Sequence, residues 1–258
     1  MTSETEEQTR ADAWRAAALV VAAAVQILAG FVGGAGLWGE AVGEVANAYP
    51  TLLLPGGAAF TIWSLIYVGF AALAVRQALP GQRHRTVHRR TGWWLVAAGV
   101  LNAAWVALFA QRLTVLAQLV IIALLVCLAV VASRLRAGAD GWPDRLLLHL
   151  PVGVYLGWVS MATVAGAATT AASYDAAPTT AVAIAVLVLT GLAAAVAVAV
   201  LPSVVGFAVT VCWALAWIAS RTPESAVAVT ALLAVAVVVV AAVVRLWRAG
   251  DRSTAAWG

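Results

Sequence analysis

Whatever chemistry this chain performs rests on three helical stripes of aromatic and amide side chains. Phe60, Trp63 and Tyr67 recur at i, i+3, i+7, Asn102, Trp105 and Phe109 repeat that spacing, and Tyr155, Trp158 and Ala162 do so again. Such positions share one face of a helix. Each stripe therefore offers large π surfaces with a few hydrogen-bonding groups. Counted from the outer helix ends at 1.5 Å per residue, Trp63, Asn102 and Trp158 lie about 12–15 Å deep, in one layer. Three such faces meeting would line a cavity with apolar walls and an outward mouth, suited to a flat hydrophobic molecule. The alternative is an aromatic core packed on itself.

The ordinary catalytic toolkit is missing. No Asp, Glu, Arg or His falls in the middle of an apolar span, whereas ion-coupled pumps carry such a group at depth. Ser160 and Thr163 have no buried base to activate them, and no paired carboxylates or phosphate-cradling Gly loop occurs. Cys127 and Cys212 each sit in an apolar run, which leaves no disulfide framework and no metal-ligand spacing. No catalytic residue, metal ligand or cofactor is nominated, and enzyme activity is not expected.

The elements that must position the stripes are membrane spans. Of 258 residues 64% are hydrophobic and 10% charged, with a mean hydropathy of +0.98, far outside the soluble norm. Eight apolar stretches approach the roughly 20 residues that cross a bilayer: about 14–36, 55–77, 92–110, 115–134, 146–168, 180–201, 203–220 and 226–246. The cut at Leu201-Pro202-Ser203 reads as a tight turn, since a continuous helix there would be too long to cross once. The expected fold is an all-α polytopic bundle. It divides into a polar tail (1–13), a five-helix core (14–168), a three-helix extension (169–248) and a second polar tail (249–258).

All 15 basic residues are Arg, and 13 of them, Arg136 included, fall on one side of the eight-span arrangement. By the positive-inside rule that side is cytoplasmic. Both termini and residues 83–90 should then face the cytoplasm of a cell membrane. The run of Arg and His at 83–90 reads as an ordinary cytoplasmic loop, so no nucleic-acid partner is expected. Of 12 Trp, residues 14, 93, 94, 142 and 247 fall at the expected cytoplasmic interface and Trp38 at the outer one. Trp63, Trp105, Trp158, Trp213 and Trp217 lie inside spans. Gly30-xxx-Gly34 and Gly153-xxx-Gly157 would let helices approach closely.

The stripes also carry a family resemblance. Trp63-Ser64-Leu65-Ile66-Tyr67 resembles the second-helix W-x-x-x-Y of the translocator protein / tryptophan-rich sensory protein (TspO/MBR) family. The segment Leu101-Asn102-Ala103-Ala104-Trp105-Val106-Ala107-Leu108-Phe109 resembles its L-N-x-x-W-x-x-L-F. Tyr155-Leu156-Gly157-Trp158-Val159-Ser160-Met161-Ala162-Thr163 resembles its Y-L-x-W-V-S-x-A-T. The motifs cover about residues 14–168 and are most similar to longer bacterial members. In place of the family's first-loop W-x-P stands Leu52-Leu53-Leu54-Pro55, and its fifth-helix Asn aligns with Gly166.

The resemblance implies a pocket open toward the first loop that binds porphyrins, related tetrapyrroles or sterol-like lipids. Trp63, Tyr67, Asn102, Trp105, Trp158 and Ala162 match its pocket positions, and Phe60 and Tyr155 complete the stripes. Membrane lipids and a second copy in a homodimer are the other partners it allows. The protein would be a sensor, carrier or scavenger. A permease for a small hydrophobic molecule is the alternative, and light- or oxygen-dependent breakdown of a bound porphyrin is a third.

Overall fold

The computed structural model describes residues 3–135 and 139–258, with side chains from residue 6. Arg136 lies outside the described residues. Among these residues the secondary structure is helical and contains no strand. In chain order the helices are α1 (Ser3–Gly34), α2 (Val42–Ala48), α3 (Ile62–Ala78), α4 (Thr86–Ala110), α5 (Thr114–Arg134), α6 (Gly141–Asp144), α7 (Leu150–Ala172), α8 (Thr180–Val200), α9 (Val205–Arg221), α10 (Ser225–Arg248) and α11 (Arg252–Trp257). A 3₁₀ turn, Gly57–Thr61, leads into α3, and a π turn, Arg145–His149, leads into α7. Seven helices are long and apolar enough to cross a membrane, and α9 is a shorter apolar one. The expected eight apolar helices are all present, with the chain broken at Leu201-Pro202 as anticipated.

The first five spans close into a ring. α1 packs on α3 and α4, α4 on α5, α5 on α7, and α7 returns to α3. The extension joins it through α9, which lies against α7, while α10 covers α9 and α8 leans on α10. Backbone proximity explains the α7–α9 seam. A Cβ on Gly157 would come within 2.8 Å of the Phe207 carbonyl oxygen, and one on Gly206 within 2.8 Å of that of Leu150. Gly153-xxx-Gly157 thus has its facing partner in the extension, and small residues there permit the close crossing.

Both terminal segments, read from the sequence as polar tails, are helical. α1 is helical from Ser3 on among the described residues, and its polar Asp12 and Arg15 find partners across the bundle end. Asp12 pairs with Arg15 at 2.5 Å, with Arg89 at 2.6 Å and with His84 at 3.0 Å, and Arg15 donates to the Arg83 carbonyl. His84 and Arg89 lie more than seventy residues from Asp12, so periodicity alone does not reveal them. α11 is N-capped by Asp251, which accepts from the backbone of Ser253 and Thr254. Arg145 then holds it, donating to the Gly258 carbonyl at 3.1 Å and the Ser253 hydroxyl at 2.6 Å. A second carboxylate, Asp144, joins Arg76 and Arg85 at 2.6 Å each and so ties α3, the loop after it and the start of the fifth span.

Candidate functional site

The three stripes converge inside the ring. Trp63 is the hub: its ring stacks on Trp105 with centroids 5.5 Å apart and on Tyr67 at 5.8 Å, and it meets Trp158 nearly edge-on at 6.0 Å. Phe60 stands edge-on to Trp158 at 5.8 Å, and Phe109 stacks on Trp105 at 5.4 Å. Offset stacks and edge-to-face pairs are the arrangements that the ring quadrupole favours. The walls enclose a free volume of about 30 Å³. Trp158 is 1% exposed and its indole N–H has no acceptor. A buried donor without a partner is costly.

The first loop roofs this space. Ala46 of α2 together with Leu54 and Pro55 completes the lining. Arg112, between α4 and α5, grips the Glu40 carboxylate through Nε at 2.5 Å and Nη2 at 2.6 Å, and Nη1 donates to the Tyr49 hydroxyl at 3.0 Å. Its guanidinium also lies 5.3 Å from the Tyr49 ring centroid. The hydrogen bond from Arg112 holds the Glu40 carboxyl below the usual carboxylate range. A group lowered in this way contributes its bond above its ordinary titration and loses it only as pH falls through the lowered value.

The extension holds the same roof from the other side. The Trp213 indole N–H donates to the Ala59 carbonyl at 3.1 Å, and Trp217 lies so close to Gly56 that a Cβ there would sit 2.9 Å from the ring. Arg221 donates to the Asn47 side-chain oxygen at 2.7 Å.

An aromatic cavity within a five-helix ring, roofed by the first loop, meets a family-level counterpart over nearly the whole chain: a family model described as TSPO-like protein matches residues 12–244. The chain belongs to the TSPO-like family. No curated protein and no solved structure matches it. The match runs well past residue 168, where the recognisable motifs stop, so the extension of this TSPO-like protein is part of the family relationship.

Of the eight residues expected at the site, Phe60, Trp63, Trp105, Trp158 and Ala162 line the cavity. Tyr67, Asn102 and Tyr155 do not. Tyr67 packs against Gly30, Tyr155 donates to Gln26 at 3.3 Å, and Asn102 is fully buried with neither amide atom bonded. All three sit about one turn farther from the roof than the lining residues. Phe109, the last residue of the α4 stripe, lines the cavity as well, and the residues missed by the sequence reading lie on the roof side of α7: Ala165, Gly166 and Thr169. Continuing the Trp158 and Ala162 stripe by i+7 and i+11 finds Ala165 and Thr169. Gln118 gave no such signal. From α5 it bonds the Thr163 carbonyl at 3.1 Å, and its unpartnered Oε1 lies 2.6 Å from where a Gly166 Cβ would be, filling the space of the family's Asn.

Proposed function

We propose that this TSPO-like membrane protein binds a hydrophobic planar ligand in the Trp63–Trp105–Trp158 cavity, and that it acts as a sensor, carrier or scavenger of that ligand. A porphyrin or related tetrapyrrole, or a sterol-like lipid, is the class that such walls suit. The observation carrying this reading is the aromatic cluster itself, with the unpaired Trp158 N–H beside it. A ligand edge oxygen or nitrogen would give that donor its acceptor. Space for about one water means that the ligand exchanges ring–ring contacts for ring–ligand contacts and lifts the roof as it enters.

Titration of the purified full chain with a panel of tetrapyrroles and sterols tests the reading. At least one should quench Trp fluorescence saturably, with a shifted absorption band when the ligand is a tetrapyrrole. Linear, unsaturable quenching across the whole panel would defeat it.

We also infer that the protein lies in the cytoplasmic membrane with both termini inside. Support comes from where the arginines gather. Arg15, Arg76, Arg85, Arg89 and Arg145 are engaged at one end of the bundle, and among the described residues only Arg112 and Arg221 hold the other. On a background lacking Cys127 and Cys212, Ala48→Cys should react with an impermeant thiol reagent in intact cells and Gly81→Cys should not. The opposite pattern inverts the orientation and turns the roof toward the cytoplasm.

A further inference from the structure

A cavity far larger than the aromatic one lies beside the extension. Between α5 and α7 on one side and α8 on the other runs a cleft of about 510 Å³, stopped at one end by the Leu201-Pro202 turn and by Phe207. A second space of about 350 Å³ continues along the same face of α7, shares Val164 and ends near Pro178. From Leu156 to Ala168, which line the two spaces, α7 rises about 18 Å. The cleft exists because α8 spends its stripe of Ala183, Leu187, Gly191 and Val198 on packing, with Gly191 close to Ala234 of α10. The middle residues it turns toward the ring, Thr190, Ala193, Ala194 and Ala197, are too short to fill the gap.

Three features select an occupant. Phe207 is the single aromatic residue on a lining that is otherwise apolar but for Ser133, Ser160 and Thr190, so the cleft lacks the broad π surface that recognises a flat ring system. Ser133 and Ser160 already donate to carbonyls of their own helices at 2.8 Å, which leaves the single hydroxyl of Thr190 to read a polar edge. Ala129 of α5 and Ala193 of α8 line the cleft and are exposed, so it opens sideways, at the level of the spans, toward the bilayer. An apolar space of this size is unfavourable for water and, if empty, forfeits the dispersion contacts of its walls. The molecule that meets its opening is a bilayer lipid.

We propose that the cleft between the five-helix ring and the extension binds the acyl chain of a membrane phospholipid, laid along α7 and admitted between α5 and α8. The site is distinct from the aromatic cavity. Met161, 2% exposed, lines both and forms their common wall.

The test uses the full chain in nanodiscs containing a phosphatidylcholine with a photoactivatable group midway along one acyl chain, with adducts mapped by mass spectrometry. Leu232 and Leu233, exposed on α10, report ordinary lipid contact. Adducts on Leu125, Ala129 and Ala193 should exceed those on the α10 pair at least fivefold. Ala129→Phe and Ala193→Phe, both at exposed positions and so compatible with folding, should remove that excess and leave the α10 adducts unchanged. Equal labelling of cleft and α10, or an excess that survives both substitutions, overturns the proposal. So does a free sterol that clears the cleft adducts at a concentration equal to the photolipid, because the cleft would then prefer a rigid planar ligand.

Discussion

Trp63→Ala should weaken binding of a tetrapyrrole by about 1–3 kcal/mol, the scale of truncating a desolvated aromatic side chain at the centre of a site. Trp63 touches Tyr67, Trp105, Tyr155 and Trp158 at once, so its removal takes away the surface on which a flat ligand would stack. Trp93→Ala is the control, since that ring is 56% exposed at the bundle surface. Trp158→Phe separates ligand recognition from packing by the quantity that moves. If a ligand accepts from the indole N–H, removing that bond costs about 0.5–1.5 kcal/mol of affinity. If the ring is only a packing element, the smaller ring lowers stability through the space it leaves, partly offset by removal of the unpartnered donor, with affinity unchanged. Fluorescence titration and thermal unfolding of the same samples read the two quantities. Wild-type affinity in Trp63→Ala, or an equal weakening in the control, would leave the cluster as core packing.

The second large effect concerns the seam between ring and extension. Gly157→Leu drives four carbons into the Phe207 backbone, and overpacking of this kind costs about 1–3 kcal/mol or more when backbone must move. The thermal transition in detergent should fall markedly. Gly43→Ala, on the exposed first-loop helix with open space around it, should leave the transition unchanged or slightly raised. Because α9 carries Trp213, Trp217 and Arg221, a displaced α9 also releases the roof. Amide exchange across residues 45–59 should therefore quicken in Gly157→Leu while that of α5 stays slow. A variant with a wild-type transition and wild-type exchange would show that the seam tolerates separation.

What the sequence makes legible follows from how far each signal reaches. The eight apolar stretches, the break before Pro202 and the convergence of Trp63, Trp105 and Trp158 are local patterns, and the structure agrees with all of them. The helical ends are different. Residues 6–13 look like a tail until Asp12 is seen among Arg15, His84 and Arg89, a pairing that spans more than seventy residues. Trp213 and Trp217 stand out in the sequence only as rings inside a span, yet one bonds the turn before α3 and the other presses on Gly56. Depth along a helix is legible only to about a turn. That error separates the expected Tyr67, Asn102 and Tyr155 from the observed Ala165, Gly166 and Thr169.

The arginines at the Asp12 and Asp144 end serve two masters. The same side chains whose number supports the proposed orientation are, in the finished bundle, the struts that join α1 to α4 and the fifth span to α3. Moving positive charge to the opposite loops is the usual way to invert a polytopic protein. Here it would strip Asp12 and Asp144 of their counter-ions and leave two carboxylates stranded at 2% and 1% exposure. An inverted chain could insert and still fail to close. Under the proposed topology, orientation and folding are written in the same residues, and neither can be edited alone.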